Sequence, residues 1–386
     1  MLQNVFRGSK RYWALLALWA VLIAVGGAAY GRQLSEGLTV TGMSRDVSWG
    51  LYIAQFTFLV GIAASAVMVV LPYYLHNYKA FGRIVILGEF LAVSAVLMCM
   101  LFVFVDMGQP TRVLNVILHP SPGSVMFWDF FVLTGYLVLN GVIGTVTIEA
   151  ERKDAPPPRW IRPLIYLSIP WAVSIHTVTA FLYAGLEARP FWMTAILAPR
   201  FLASAFASGP SLLILLALLV RRFGRFDAGR EAIQALGTIV TYAMAINLFF
   251  VLVELFTALY GGMPHHLHPF TYLFTGLEGR SALTPWTWIG VAVSIVCTAF
   301  LLVPAIRRQE RWLAVLCAGV IGSLWIEKGL TLVVTGFIPS PLGHITEYTP
   351  TIPELAITLG VYAVGGLVLT TLYKIVVTVR ERPQLT

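Results

Sequence analysis

Ten apolar runs, each long enough to cross a bilayer, divide this chain and leave little room for any fold but one. They lie at about 12–31, 49–75, 84–105, 125–148, 163–186, 201–220, 236–260, 285–306, 312–336 and 354–379. A backbone in hydrocarbon must satisfy its own hydrogen bonds, so runs of this length are helices and not open strands. The expectation is an all-α integral membrane protein with ten transmembrane helices, a single polytopic membrane domain over 1–386. Charged residues make up 11% of the chain and hydrophobic ones 58%. A soluble domain carries about 25% charged residues, so the soluble classes are excluded.

The first run follows Arg7, Lys10 and Arg11 and ends near a GGAAYG stretch that resembles a signal-peptidase site. Its apolar stretch, Trp13 to Tyr30, is longer than a signal core and reads as a retained helix.

The net charge of +8 is a topology signal here, and it points to the lipid bilayer as partner and not to nucleic acid. Nineteen Lys and Arg fall at the chain ends and in the loops after the second, fourth, sixth and eighth runs, with Arg225 and Arg382 among them. Six fall on the other side: Arg32, Arg45, Arg112, Arg189, Arg200 and Arg280. The positive-inside rule then places both termini in the cytoplasm of a multi-pass inner-membrane protein. The elaborate loops, rich in Pro, His and aromatics, face outward as a docking surface; simple interhelical connection is the plainer alternative.

Cys99, Cys297 and Cys317 stand alone in apolar runs and form no CxxC or CxxCH spacing. They read as packing residues. His176 is the one His well inside a run, too few for a bis-His haem. His265, His266 and His268 lack evident co-ligands, so no metal site is expected. The chain is expected to carry no haem or iron–sulfur cluster of its own.

Ionisable side chains within the runs are costly and are functional candidates by default. Asp106 and Asp129 flank a proline-rich outer loop that contains Arg112 and His119. Glu254, Glu327, Lys328 and Glu354 sit, like them, in the outer half, with Tyr52 and Gln55 a turn or two from Trp49. Glu89, near the cytoplasmic side, is the exception. Plainer roles are open for each: an Asp106–Arg112 loop pair, Glu254 as interhelical glue, His176 as a satisfied core residue. Glu327 and Lys328 are adjacent, so they point to different faces and each needs its own partner.

A histidine and a carboxylate among aromatics near one membrane face suit a lipid-soluble quinone, whose carbonyls need hydrogen-bond partners and a proton source. The candidate catalytic residues are His176 and Asp129. Gln55, Tyr52, Trp49, Asp106, Arg112 and Trp128 are candidates for quinone binding, and Glu89 and Glu254 for a proton path. A secondary transporter or ion-translocating subunit without quinone chemistry is the alternative, since ten charged spans also occur there.

Five stretches carry a resemblance: SWGLYIAQFTFLVGIAASA at 48–66, DMGQPTR at 106–112, SPGSVMFWD at 121–129, SIHTVTAFL at 174–182 and NLFFVLVELFTALY at 247–260. With these the chain resembles the NrfD/PsrC family, the integral membrane subunits of polysulfide reductase-like complexes, in its ten-span branch. Within the family it looks like the P subunit of Dsr membrane complexes. The resemblance implies two four-helix bundles plus two extra helices, and a menaquinone or ubiquinone site near the periplasmic face. It also implies a periplasmic ferredoxin-like iron–sulfur subunit as partner, with a multihaem cytochrome c and further membrane or cytoplasmic redox subunits, in sulfur metabolism or anaerobic respiration. One departure stands out. The family's polysulfide reductase contributes a quinone-site histidine from the helix matching 49–75, where this chain has Gln55 and Phe56.

Overall fold

The computed structural model describes residues 8–224 and 226–380; Arg7, Arg225 and Arg382 of the charge pattern lie outside them. Ten helices are long and apolar enough to cross a membrane. They are α1 (Lys10–Glu36), α2 (Leu51–Leu75), α3 (Val85–Asp106), α4 (Val125–Arg152) and α5 (Ile161–Ala184). Then follow α6 (Leu197–Phe223), α7 (Arg230–Gly261), α8 (Thr284–Leu302), α9 (Glu310–Thr335) and α10 (Ile352–Arg380). Several run past the apolar stretches because polar residues continue the helix into the interface: α7 starts six positions before its run, at REAIQA.

Helices α2–α5 close one four-helix bundle and α6–α9 a second, while α1 and α10 pair and lean on α3. The axis of the molecule is α2. Every residue from Leu51 to Ala63 is buried, as an apolar surface on all sides demands. Small residues let α2 touch the second bundle: a β-carbon on Gly209 of α6 would stand 2.9 Å from the Ser65 amide nitrogen. Helix α1 is mostly lipid-facing and meets α10 at Gly26 and Gly360, where backbone lies against backbone.

With an even number of crossings both ends of the described chain lie on one side, here the terminal face. Arg380 of α10 bonds Glu151 at 2.8 Å, Tyr78 bonds Glu231 at 3.0 Å, and Arg83 reaches the Asp227 carbonyl at 3.3 Å, so its connections are stitched together. The opposite, loop face is tied by Glu354. Its buried carboxylate accepts from the Gly42 amide at 2.7 Å, the Thr351 amide at 2.8 Å and the Tyr348 hydroxyl at 2.7 Å. Tyr348 in turn accepts from the Leu51 amide at 2.8 Å, locking the start of α2 to the start of α10. Burial, with the neighbouring Glu354 charge, holds the Tyr348 phenol well above its ordinary pKa, so it stays a donor throughout the physiological range.

Candidate functional site

Beneath the loop face an aromatic lid closes the junction of the two bundles. Trp49 stacks on Trp192 at 5.7 Å between centroids, and Tyr183 meets Trp192 edge-on at 5.0 Å. Trp192 is fixed by its indole N–H, which donates to the Leu332 carbonyl of α9 at 2.9 Å.

A polar column descends from this lid along one face of α5. Tyr183, Thr179 and His176 are spaced four and three residues apart, so they project toward the same neighbours. Tyr183 and Thr57 of α2 share a hydroxyl–hydroxyl hydrogen bond, and Thr57 donates to the Ile53 carbonyl at 2.7 Å, which leaves Tyr183 as the donor between them. One turn deeper, Thr179 lies 2.6 Å from the Asp129 carboxyl of α4 and 2.7 Å from the Ile175 carbonyl. A hydroxyl has one proton. A protonated Asp129 donating to Thr179, which donates to Ile175, satisfies both contacts; the ionised form must share a single proton between two acceptors.

His176 is fully buried, and its Nδ1 lies 2.7 Å from the Ala172 carbonyl. With Nδ1–H given to that carbonyl, Nε2 is left as an acceptor, and it has no hydrogen-bond partner among the described residues. An unpartnered buried nitrogen is uncommon and costs about 1–3 kcal/mol. On the lipid side of the same helix, Ala180 and Ala184 open a groove of about 280 Å³ against Met193, Leu197 and Ala198.

Beyond α2 lies a second polar cluster. Arg200, near the start of α6, is buried between Glu254 of α7, with which it forms a close ion pair, and Glu327 of α9 at 3.0 Å. Asn247 donates to Glu327 at 3.1 Å. The neighbouring Lys328 turns the other way. Its ammonium sits 4.3 Å above the Phe201 ring and 3.4 Å from the Phe201 carbonyl, and it reaches no carboxylate of the described residues within ion-pair distance. Both residues belong to a π-helical turn, Trp325–Thr331, which widens α9 by one residue.

The structure thus groups Asp129, His176 and, through Tyr183, Trp49, and separates the other candidates. Trp128 points outward, half exposed, with its indole bonded to the Pro122 carbonyl at 2.8 Å. Arg112 is exposed on its loop; Asp106 forms no ion pair with it, and the Oδ1 of Asp106 is buried without a described partner. Tyr52 donates to Gln33 of α1 at 2.8 Å, and Gln33 to the Val105 carbonyl, which makes them part of the α1–α3 seam. Gln55 lies on the far side of α2 from the column, accepting from Trp325 at 2.8 Å and Tyr362 at 2.6 Å. Glu254 belongs to the second bundle, where it pairs with Arg200. Glu89 is buried near the terminal face with one oxygen unpartnered. Arg200, read from sequence as a loop residue, in fact lies in the first turn of a spanning helix, because α6 begins at Leu197, and its side chain is largely shielded by Glu254 and Glu327. Thr57, Thr179 and Tyr183 were missed: threonine in an apolar run gives no signal of its own.

Residues 39–339 match the family described as polysulphide reductase, NrfD. The chain belongs to the NrfD family. Three relatives are similar to it over most of their length. It is 28% identical, over 92% of this chain and 88% of the other, to a membrane protein of Halobacterium salinarum assigned to a dimethyl sulfoxide reductase. It is 24% identical, over 97% and 95%, to the Hdr-like menaquinol oxidoreductase integral membrane subunit of Archaeoglobus fulgidus. It is 23% identical, over 90% and 87%, to the menaquinone reductase integral membrane subunit of Nitratidesulfovibrio vulgaris. An NrfD-family chain with ten such helices is a multi-pass membrane protein.

Proposed function

We propose that this chain is the quinone-interacting membrane subunit of a respiratory oxidoreductase in the inner membrane, exchanging electrons between menaquinone or menaquinol and an iron–sulfur subunit docked on the loop face. The observation that carries the reading is the buried Asp129–Thr179 pair beside the unpartnered Nε2 of His176. The pair can hold a proton and, with Nδ1–H given to Ala172, the Nε2 lone pair can accept from a quinol hydroxyl, so the site offers a proton store and a partner for the quinol form. The groove at Ala180 and Ala184 supplies an apolar surface for an isoprenoid tail on the lipid side of α5. Menaquinol and menaquinone in the names of the Archaeoglobus and Nitratidesulfovibrio relatives support this class of substrate.

In this reading Asp129 stores the proton, Thr179 positions its carboxyl, and the Nε2 lone pair of His176 accepts from the quinol hydroxyl. The Trp49–Trp192 lid excludes water from above. The chain supplies proton handling and orientation, while the partner supplies the redox centre. We infer further that the partner set is of the Dsr type, a ferredoxin-like protein with a multihaem cytochrome c, on the sequence resemblance alone. A proton path that enters from the terminal face and begins at Glu89 belongs to the same proposal.

The test uses the intact complex: lipids are extracted and assayed for quinone, and quinol-dependent reduction of the partner's iron–sulfur centre is followed for wild type, His176→Ala and Asp129→Asn. A complex that retains quinone and loses electron exchange in both variants supports the reading. Wild type that neither retains quinone nor exchanges electrons with it returns the chain to the transporter or ion-translocating class.

A further inference from the structure

The terminal face carries a feature that electron exchange does not use. Two adjoining concavities, of about 450 and 330 Å³, lie between the end of α6, the start of α7 and the α8–α9 turn. Arg230 and Arg308 line both; Arg221 and Arg311 complete the first and Arg307 the second. Arg221 is committed to Glu310 and lies 3.7 Å from Asp227, and Arg307 donates to the Leu301 carbonyl at 2.9 Å. The side chains of Arg230, Arg308 and Arg311 form no ion pair or hydrogen bond with the described residues. Five arginines there face three carboxylates, Asp227, Glu231 and Glu310. Glu231 is held by the Tyr78 hydroxyl at 3.0 Å.

The backbone adds to the field. Helix α7 starts at Arg230 and α9 at Glu310, and neither has a side-chain cap on its first amides. Both positive helix ends lie among the arginines, and the acid in each first turn, Glu231 or Glu310, is already engaged by Tyr78 or Arg221; such ends favour phosphate oxygens.

An amphiphile is indicated by what surrounds the charge. Phe223 and Trp312, at the helix ends that form the rim, are 67% and 55% exposed, and Val315 one turn further into α9 is 61% exposed. A free anion has no use for such a flank, whereas a lipid needs a charged head site continuous with an apolar wall.

We propose that this pocket binds the headgroup of an anionic phospholipid, its phosphate held by Arg230, Arg308 and Arg311 and its acyl chains laid along Phe223, Trp312 and Val315. The two concavities share two arginines, so a lipid with two phosphates joined through one headgroup fits better than one with a single phosphate.

The full-length chain in detergent tests this. Thermal unfolding is measured with cardiolipin, phosphatidylglycerol, phosphatidylcholine or inorganic phosphate added at equal phosphate concentration, and lipid retention is read by native mass spectrometry. Cardiolipin is expected to raise Tm most and to stay bound, with phosphatidylcholine and inorganic phosphate inert. The double variant Arg230→Gln, Arg311→Gln is expected to bind cardiolipin at least tenfold more weakly, while Arg159→Gln, Arg162→Gln on the same face binds as wild type. Inorganic phosphate reproducing the shift overturns the lipid assignment, and so does undiminished binding in the pocket variant or equal loss in the control. Should the double variant not fold, Arg311→Gln alone, at an exposed position, reads the same loss, and full binding there overturns the proposal.

Discussion

Thr179 joins Asp129 across the α4–α5 interface at 2.6 Å while also lying 2.7 Å from a carbonyl of its own helix, so its single proton can satisfy both contacts only if Asp129 brings a proton of its own. On the proposed function, Asp129→Asn keeps a hydrogen bond to Thr179 but cannot take up and release a proton. Quinol-dependent turnover should fall about 10²-fold or more, the usual scale of losing a positioned acid–base group. Thr179→Val removes the positioning bond and should cost about tenfold, chiefly in kcat, with quinone retention little changed. Steady-state assays on the intact complex measure both; wild-type kcat in Asp129→Asn would remove this residue from the chemistry.

The second cluster calls for a different experiment. Arg200→Gln leaves Glu254 and Glu327 facing each other without a cation, and breaking a buried ion pair from one side costs about 3–5 kcal/mol. Tm in detergent should drop sharply, and the triple change Arg200→Met, Glu254→Gln, Glu327→Gln should recover most of it. A single variant as stable as wild type would mean the cluster is hydrated and not structural.

Gln55→Leu strips the acceptor from both Trp325 and Tyr362, two donors on two further helices. Each orphaned donor costs about 1–3 kcal/mol, so α9 and α10 should loosen from α2 together. Hydrogen exchange at the two helices checks this. If only one of them gains exchange, the glutamine is not their common fastening.

At the α1–α10 contact, a β-carbon on Gly360 would stand 2.8 Å from the Gly26 Cα, with backbone and not a yielding side chain in its way. Gly360→Val should therefore push α1 away from the rest. A cysteine introduced at Thr370, which accepts from the Trp19 indole at 3.2 Å, should be shielded from a membrane-permeant maleimide in the parent and labelled faster in the variant.

The ten helices were legible because hydropathy alone marks a run that lipid can hold, and no tertiary contact is needed to read it. The site was legible only in part. Asp129 and His176 announce themselves as polar residues out of place, but Thr179 and Tyr183 do not: a threonine hydroxyl can be satisfied within its own helix, and a tyrosine ring reads as apolar packing. Which side of α2 a polar residue faces was equally hidden. Gln55 and Thr57 are two positions apart, about 200° around the helix, and so serve different neighbours. Arg200 was misplaced because it precedes its apolar run by one residue, and only Glu254 and Glu327, 54 and 127 residues further on, make its burial possible.

The wide turn Trp325–Thr331 has a consequence for what evolution or an engineer can do to α9. Removing one residue there would restore regular geometry and rotate everything beyond it by about 100°. Glu327 could then no longer meet Arg200 while Leu332 still receives the Trp192 indole. Length, more than composition, is thus the property of this segment that the chain cannot change: substitutions there are graded injuries, and a one-residue deletion is a change of phase that the lid and the ion cluster would register at once.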